Sequence, residues 1–281
     1  MEDKLNLDKV YVLGTNCADN SPTPKAAVNF IRDGVAIKNS KRVIGYEFMQ
    51  DFRVHVKMKK DEENEREEGE DDDGYVRKPY FCLPGSVARN AIASSCLACF
   101  DYTNSLADVV VGYMGAPLDS SGRMDQSYQT LTVRNESGEQ MVRIASNAGY
   151  LETGPTASGL GSHERFASAT VGSDSIVADL AGGKVKERGM PKFAGEVMAN
   201  VMERTGPKGI SFARYSIDYH VLRNYLHVLD EWGDDKEKFE RSLPQYAKDL
   251  VSRYLEKDDS FAALKESILK KRLERIRGIR P

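Results

Sequence analysis

Four successive stretches in the last third of the chain, residues 193–204, 210–229, 243–255 and 260–276, carry apolar side chains at helical spacing. That spacing gathers them on one face of an α-helix, so the fold has to include a helical C-terminal layer. Gly206-Pro207 breaks the chain between the first two. The N-terminal half reads differently. Phe52, Val54, Val56 and Met58 alternate with Arg53, His55 and Lys57, the pattern of a half-buried strand. Residues 10–13, 42–48, 75–82, 106–114 and 128–134 are further strand-like runs, and residues 24–34 and 87–94 predict short helices, the first stopped by Gly34. The expected class is mixed α+β: a sheet-containing core over residues 1–150, then a helical region over 193–281.

Between these regions, residues 151–192 are rich in Gly, Ser and Ala with weak periodicity, and predict an irregular connection lying over an active site. The acidic run 61–73 predicts a solvated loop between hairpin strands, because it has almost nothing apolar to bury. Asn135-Glu136-Ser137-Gly138 reads as a turn. The basic tail from Lys265 to Arg280 suits a solvated amphipathic helix or a docking patch for an acidic protein. A formal net charge of -3 gives no bulk reason to expect nucleic acid as partner. No apolar stretch approaches the length of a membrane span. The first residues show neither a secretory signal nor a transit peptide.

Four cysteines are too few for a disulfide scaffold in 281 residues. Cys96-Leu97-Ala98-Cys99 has a spacing that lets both thiolates reach one metal centre. Cys17 and Cys82 each follow a strand-like run beside Gly or Pro, where side chains can converge at one sheet edge. On spacing alone, unrelated buried thiols, an iron–sulfur cluster, a zinc site and redox thiols all remain open. Phe100 and Tyr102 are placed to flank a metal site. Asn104 and Asp108 suit either a cofactor or a helix cap, and Gly112 and Gly115 either a planar cofactor or a turn. No GxGxxG follows a strand, so a Rossmann-type nucleotide site is not supported. On the helix expected over 210–229, Tyr219 shares a face with Arg223 and His220 with Asn224. His220 near Asp218 is a candidate proton donor, set against the plainer reading of hydrogen bonds between packed helices.

Several strings together resemble a known family: Val12 to Cys17, Tyr46 to Asp51, Tyr80-Phe81-Cys82-Leu83-Pro84, Ser95 to Gly115, Gly206-Pro207-Lys208-Gly209 and Asn224-Tyr225-Leu226. It is the family of plant 7-hydroxymethyl chlorophyll a reductases and cyanobacterial-type divinyl chlorophyllide 8-vinyl reductases, related to the beta subunit of deazaflavin-reducing hydrogenases. The resemblance covers residues 9–255. It implies an iron–sulfur flavoprotein with a 4Fe-4S cluster on Cys17, Cys82, Cys96 and Cys99, and FAD near Asn104, Asp108, Gly112 and Gly115. Reduced ferredoxin is the implied electron donor and a chlorophyll-type tetrapyrrole the implied substrate, with His220 or Tyr219 as proton donor. The Phe-Cys-Leu-Pro string and Asp218-Tyr219-His220 look closer to the hydroxymethyl branch. Reduction of an 8-vinyl group and a non-catalytic electron-transfer subunit are the alternatives. The family carries a further N-terminal region that this sequence lacks, so the expectation is a fragment, an incomplete gene product or a partner needing a second chain, with a homo-oligomer also open. The implied location is a chloroplast, or the cytoplasm of a cyanobacterium.

Overall fold

The computed structural model describes residues 8–60, 66–117, 122–154, 159–160, 163–184 and 187–278. Two three-stranded sheets lie in the N-terminal half, as the alternating patterns require. In the first, β1 (Leu13–Thr15) runs parallel to β5 (Val109–Gly112), which pairs antiparallel with β6 (Thr130–Val133). Gly14 makes the β1 position possible, because a Cβ there would stand 2.7 Å from the Asn104 Cβ and 2.9 Å from the Ala107 Cβ. The second sheet is an antiparallel meander of β2 (Val43–Phe48), β3 (Arg53–Met58) and β4 (Tyr75–Pro79).

The core under this meander joins Val54, Val56, Met58 and Val76 to Phe30, Ile31, Val35 and Ile37. Phe30, Ile31 and Val35 belong to a wide π-type turn, Phe30–Val35, that continues α1 (Pro24–Asn29), and Ile37 follows just past its end. Thr23 caps α1, its hydroxyl accepting the Ala26 N–H at 3.1 Å. The expected stop at Gly34 falls two residues late, at Ala36 in the left-handed conformation. The expected polar face of β3 is also not open to solvent. His55 is fully buried and hydrogen-bonded to Asp51 at 2.7 Å, and Arg53 reaches Glu196 and Asn200.

The acidic run departs from expectation where it is described, its residues 61–65 lying outside the described residues. Glu70 pairs with Arg42 at 2.8 Å with both side chains nearly sealed from solvent, 4% and 6% exposed. Glu67 accepts the backbone N–H groups of Lys38 and Asn39, and Asp71 receives Arg77 and the Tyr75 N–H. Acidic side chains there satisfy donors around the meander, so this part of the run is structural rather than solvated.

α2 (Gly85–Ala91) follows β4, and α3 (Glu136–Asn147) follows β6. The string read as a turn at Asn135 is in fact the start of α3, with the Asn135 side chain accepting the Gly138 N–H at 2.9 Å. The expected irregular stretch carries two helices. It holds α4 (His163–Ser173) and α5 (Ser175–Leu180), and β7 (Gly159–Leu160) pairs with β8 (Lys208–Gly209). Ala167 and Val171 of α4 are buried in the helical core. Small side chains permit that close packing, and they are also why the stretch shows little periodicity.

The helical layer comprises α6 (Lys192–Thr205), α7 (Ile210–Trp232), α8 (Lys236–Ser242), α9 (Gln245–Lys257) and α10 (Asp259–Ile276). α7 is its axis. Val221, Leu222, Leu226 and Val228 pack against Ala247, Leu250 and Val251 of α9 and Phe261 and Ile268 of α10. The architecture is mixed α+β, small sheets followed by helices, as the sequence predicts. Among the described residues, no helix is long and apolar enough to cross a membrane.

Candidate functional site: a three-thiol centre on helix α7

Cys17 lies in the loop that leaves β1, and its N–H donates to the Tyr102 carbonyl at 3.1 Å. Cys96 opens a single 3-10 turn, Cys96–Ala98, which the Cys99 N–H closes on the Cys96 carbonyl at 3.2 Å. The Cys96 thiol faces the Asn20 carbonyl at 3.9 Å, and the Asp101 N–H points at the Cys99 sulfur at 3.4 Å. These loops bring the three thiols into one electrostatic neighbourhood. Burial, then the nearby Cys96 and Cys99, raise the Cys17 thiol above its ordinary range. Three thiolates so placed repel one another, and a cationic centre between them reverses that balance.

Cys82 does not join them. It closes the 3-10 turn after β4, in the meander, whereas Cys17 exits the other sheet. Its thiol sits beneath α6, 4.0 Å from the Pro191 carbonyl and in the space a Gly195 side chain would fill. Burial raises its pKa, and its charged neighbours are Lys78, Glu196 and Lys192. The expectation of four converging cysteines is corrected to three together and one apart, because the two strand exits belong to different sheets.

Helix α7 supplies the floor of the three-thiol centre. Asn224 is fully buried, and its Nδ2 donates to the carbonyls of Cys96 and Cys99, both at 2.7 Å, and stands 2.6 Å from the Tyr102 hydroxyl. Arg223, 1% exposed, donates through Nε and Nη2 to Asn224 Oδ1 at 3.1 and 3.0 Å. The same guanidinium grips the Asp19 carboxylate at 2.7 and 2.8 Å. Burial works against the Asp19 carboxylate, but His220 and Arg223 outweigh it and lower its pKa to about 2. Asp19, Arg223 and Asn224 are the site residues that motif reading left without a role. An Asp two positions after Cys17 and the shared face of Tyr219 and Arg223 were the signals present in the sequence, and Arg223 does lie over the Tyr219 ring at 5.5 Å.

The proposed proton donors are inside this structure. His220 Nδ1 donates to the Ser216 carbonyl at 2.6 Å, and Nε2 faces Asp19 at 3.5 Å. Tyr219 donates to Asp174 at 2.5 Å. His220 does not meet Asp218. Residues two apart on a helix point to different sides, and Asp218 instead accepts the Tyr254 hydroxyl at 2.7 Å and lies 3.5 Å from His163. A cavity of about 460 Å³ between α4, α9 and α10 is lined by residues that include Arg165, Arg253 and Lys257, and by neither His220 nor Tyr219.

The residues expected at a flavin are occupied by the chain's own atoms. Asn104 donates to the Thr15 carbonyl, and Asp108 accepts the Val12 N–H and the Asn135 amide, both at 2.7 Å. A Cβ at Gly112 would meet the Asn16 side chain, and one at Gly115, with φ of 78°, the Gly209 carbonyl. These four positions lock the β1 and β5 loops to their neighbours, so they form no open cradle for a flavin. For the metal the fit is different. Among the described residues no three Cys, His, Asp or Glu side chains stand close enough to hold a single ion. A four-iron cluster takes each ligand on a separate iron rather than on one ion, so Cys17, Cys96 and Cys99 are candidate ligands for one.

With this arrangement in view, the family of the chain follows from its relatives. The chain belongs to the family defined by the C terminus of the coenzyme F420 hydrogenase/dehydrogenase beta subunit, whose model matches residues 1–158. It is 42% identical over 255 residues to the chloroplastic 7-hydroxymethyl chlorophyll a reductase of Oryza sativa subsp. japonica, covering 90% of this chain and 49% of that one. An uncharacterized protein of Nostoc sp. is 36% identical over 255 residues, covering 90% and 54%. The beta chain of the coenzyme F420 hydrogenase of Methanothermobacter thermautotrophicus is 30% identical over 81 residues, covering 29% and 26%. The chain spans about half the length of the first two relatives.

Proposed function

We propose that this chain is the cluster-bearing part of an oxidoreductase that converts 7-hydroxymethyl chlorophyll a to chlorophyll a. The observation that carries the reading is the 42% identity to the rice reductase across 90% of the chain. The three-thiol centre supports it, because a reduction fed by a one-electron donor such as ferredoxin is served by a one-electron carrier in the chain. The reaction replaces a hydroxymethyl by a methyl group, consumes two electrons and two protons, and releases water.

Cys17, Cys96 and Cys99 would hold a 4Fe-4S cluster, which when bound supplies single electrons drawn from a reduced ferredoxin. The chain's own share is to hold those thiolates, which lie at the surface, over the buried and hydrogen-bonded side chains of Arg223 and Asn224. The flavin that the family resemblance implies is not placed on Asn104, Asp108, Gly112 or Gly115. Nor is the proton assigned to His220 or Tyr219, since both are spent on internal hydrogen bonds. A chloroplast or a cyanobacterial cytoplasm is the fitting location for such a substrate.

The test incubates the anaerobically purified protein with 7-hydroxymethyl chlorophyll a, reduced ferredoxin and FAD, and follows pigments by chromatography. Chlorophyll a should accumulate, and iron and sulfide analysis should return a cluster lost on Cys96→Ser and kept on Cys82→Ser. A parallel arm with a divinyl pigment checks the competing reduction. Turnover of the divinyl pigment alone, or of neither pigment, would overturn the reading.

A further inference from the structure

Helix α7 does more than pack beneath the thiols. It joins the two separate cysteine loops through one adjacent pair of buried side chains. Arg223 faces the Cys17 loop, where it grips Asp19, and Asn224 faces the Cys96–Cys99 turn, where it holds both cysteine carbonyls. The two side chains bind each other as well, Arg223 Nε and Nη2 both donating to Asn224 Oδ1. The Cys17 N–H closes the circuit on the Tyr102 carbonyl, and the Tyr102 hydroxyl oxygen faces the Asn224 Nδ2 at 2.6 Å.

We propose that the Arg223–Asn224 pair is a positioning clamp that fixes Cys17, Cys96 and Cys99 in the arrangement an iron–sulfur cluster needs. The inference rests on the cluster reading given above. Its chemistry is specific to the amide. Two N–H donors from Arg223 fix the Asn224 oxygen on the cation, so the Nδ2 has to face the two cysteine carbonyls. One amide nitrogen then spans the whole Cys-x-x-Cys turn, whose own backbone bonds are few. Held only by those bonds, the turn would have little to fix the spacing of its two sulfurs. Arg223 adds the long-range half, fixing the Cys17 loop against the same helix. Groups that orient ligands without touching the metal commonly govern how firmly it is held.

Asn224→Asp separates this role from simple packing. The new carboxylate has the size of the amide and still accepts from Arg223, but it has no N–H for the Cys96 and Cys99 carbonyls. Tyr225→Phe, the next residue on α7, serves as the control. Each protein is purified anaerobically and challenged with an iron chelator while absorbance follows cluster loss. Alkylation rates of Cys17, Cys96 and Cys99 are read by mass spectrometry on the metal-free forms, alongside their thermal melting. The clamp predicts that N224D loses its cluster about 10-fold faster or more than wild type. It also predicts faster alkylation of Cys96 and Cys99 in a metal-free N224D that still melts cooperatively, with Y225F unchanged in both. Equal chelator and alkylation rates in N224D and wild type would overturn the clamp. A wild type that binds no cluster, yet shows the alkylation difference, would sink the cluster reading and leave the clamp on the thiols standing.

Discussion

Asp19 and Arg223 lie 204 residues apart in sequence and meet through a two-pronged ion pair at 2.7 and 2.8 Å. The guanidinium is almost wholly buried, so its charge depends on that carboxylate for compensation. Removing one partner of such a pair leaves an uncompensated buried charge, which costs about 3–5 kcal/mol. Asp19→Ala should therefore destabilise the metal-free protein by an amount in that range. Asp19→Asn, which keeps an acceptor for the guanidinium, should cost less. Urea denaturation of both variants measures the difference, and equal, small losses would show that Arg223 finds another partner.

The Arg42–Glu70 pair makes a second, independent prediction about the acidic run. Glu70→Ala takes the carboxylate away from a buried guanidinium that keeps its bonds to the Lys59 carbonyl, and should cost about 3 kcal/mol. Asp72, in the same acidic stretch, is 97% exposed in its pair with Arg66. Exposed pairs are worth about 1 kcal/mol or less, so Asp72→Ala should leave the unfolding midpoint nearly where it was. If both variants behave alike, the run is a solvated loop after all.

Asp218 yields a pH dependence. Burial raises its pKa above the ordinary 3.8, against the lowering pull of the Tyr254 hydroxyl, His163 and Arg253, while Glu164 adds to the rise. A carboxyl with a raised folded pKa favours the folded state below its unfolded pKa, and that contribution is lost as pH rises through the folded value. Asp218→Asn keeps an acceptor for Tyr254 and carries no charge to desolvate. The variant should match wild type below about pH 4 and become relatively more stable above it. Thermal melts across about pH 3 to 8 check the crossing, and a wild type that stays the more stable at neutral pH would contradict it.

What could be read from the residues and what could not divide along contact range. The helices α6, α7, α9 and α10 are legible because their apolar spacing is a local property, and the Cys96–Cys99 spacing is legible for the same reason. The separation of Cys82 from the other thiols depends on which sheet each strand joins. The β3–β4 hairpin is local, but β1 finds β5 through contacts nearly a hundred residues apart, and that pairing decides where Cys17 lies. The Asp19–Arg223 tie is hidden likewise, since neither residue belongs to a motif. α4 is hidden for another reason: the small residues that let it pack on α7 erase the apolar period that announces a helix.

The placement of Cys82 can be tested through its neighbour Gly195. A Cβ on Gly195 would overlap the Cys82 sulfur, and the next nearest atoms, the Pro79 Cβ and the Cys82 Cβ, stand at 3.5 and 3.7 Å. Gly195→Ala therefore overpacks one atom, and such insertions cost about 1–3 kcal/mol. Alanine is otherwise the better helix residue, by up to about 1 kcal/mol in a helix interior. Cys82→Ala removes the sulfur and leaves the Cβ at an ordinary contact distance. The double variant should thus recover most of the loss and approach or exceed the stability of Cys82→Ala alone. A double-mutant cycle from urea unfolding measures the coupling, which should be favourable by about 1 kcal/mol or more. Additive effects would mean that Cys82 does not lie beneath α6, and would return it to the search for a fourth cluster ligand.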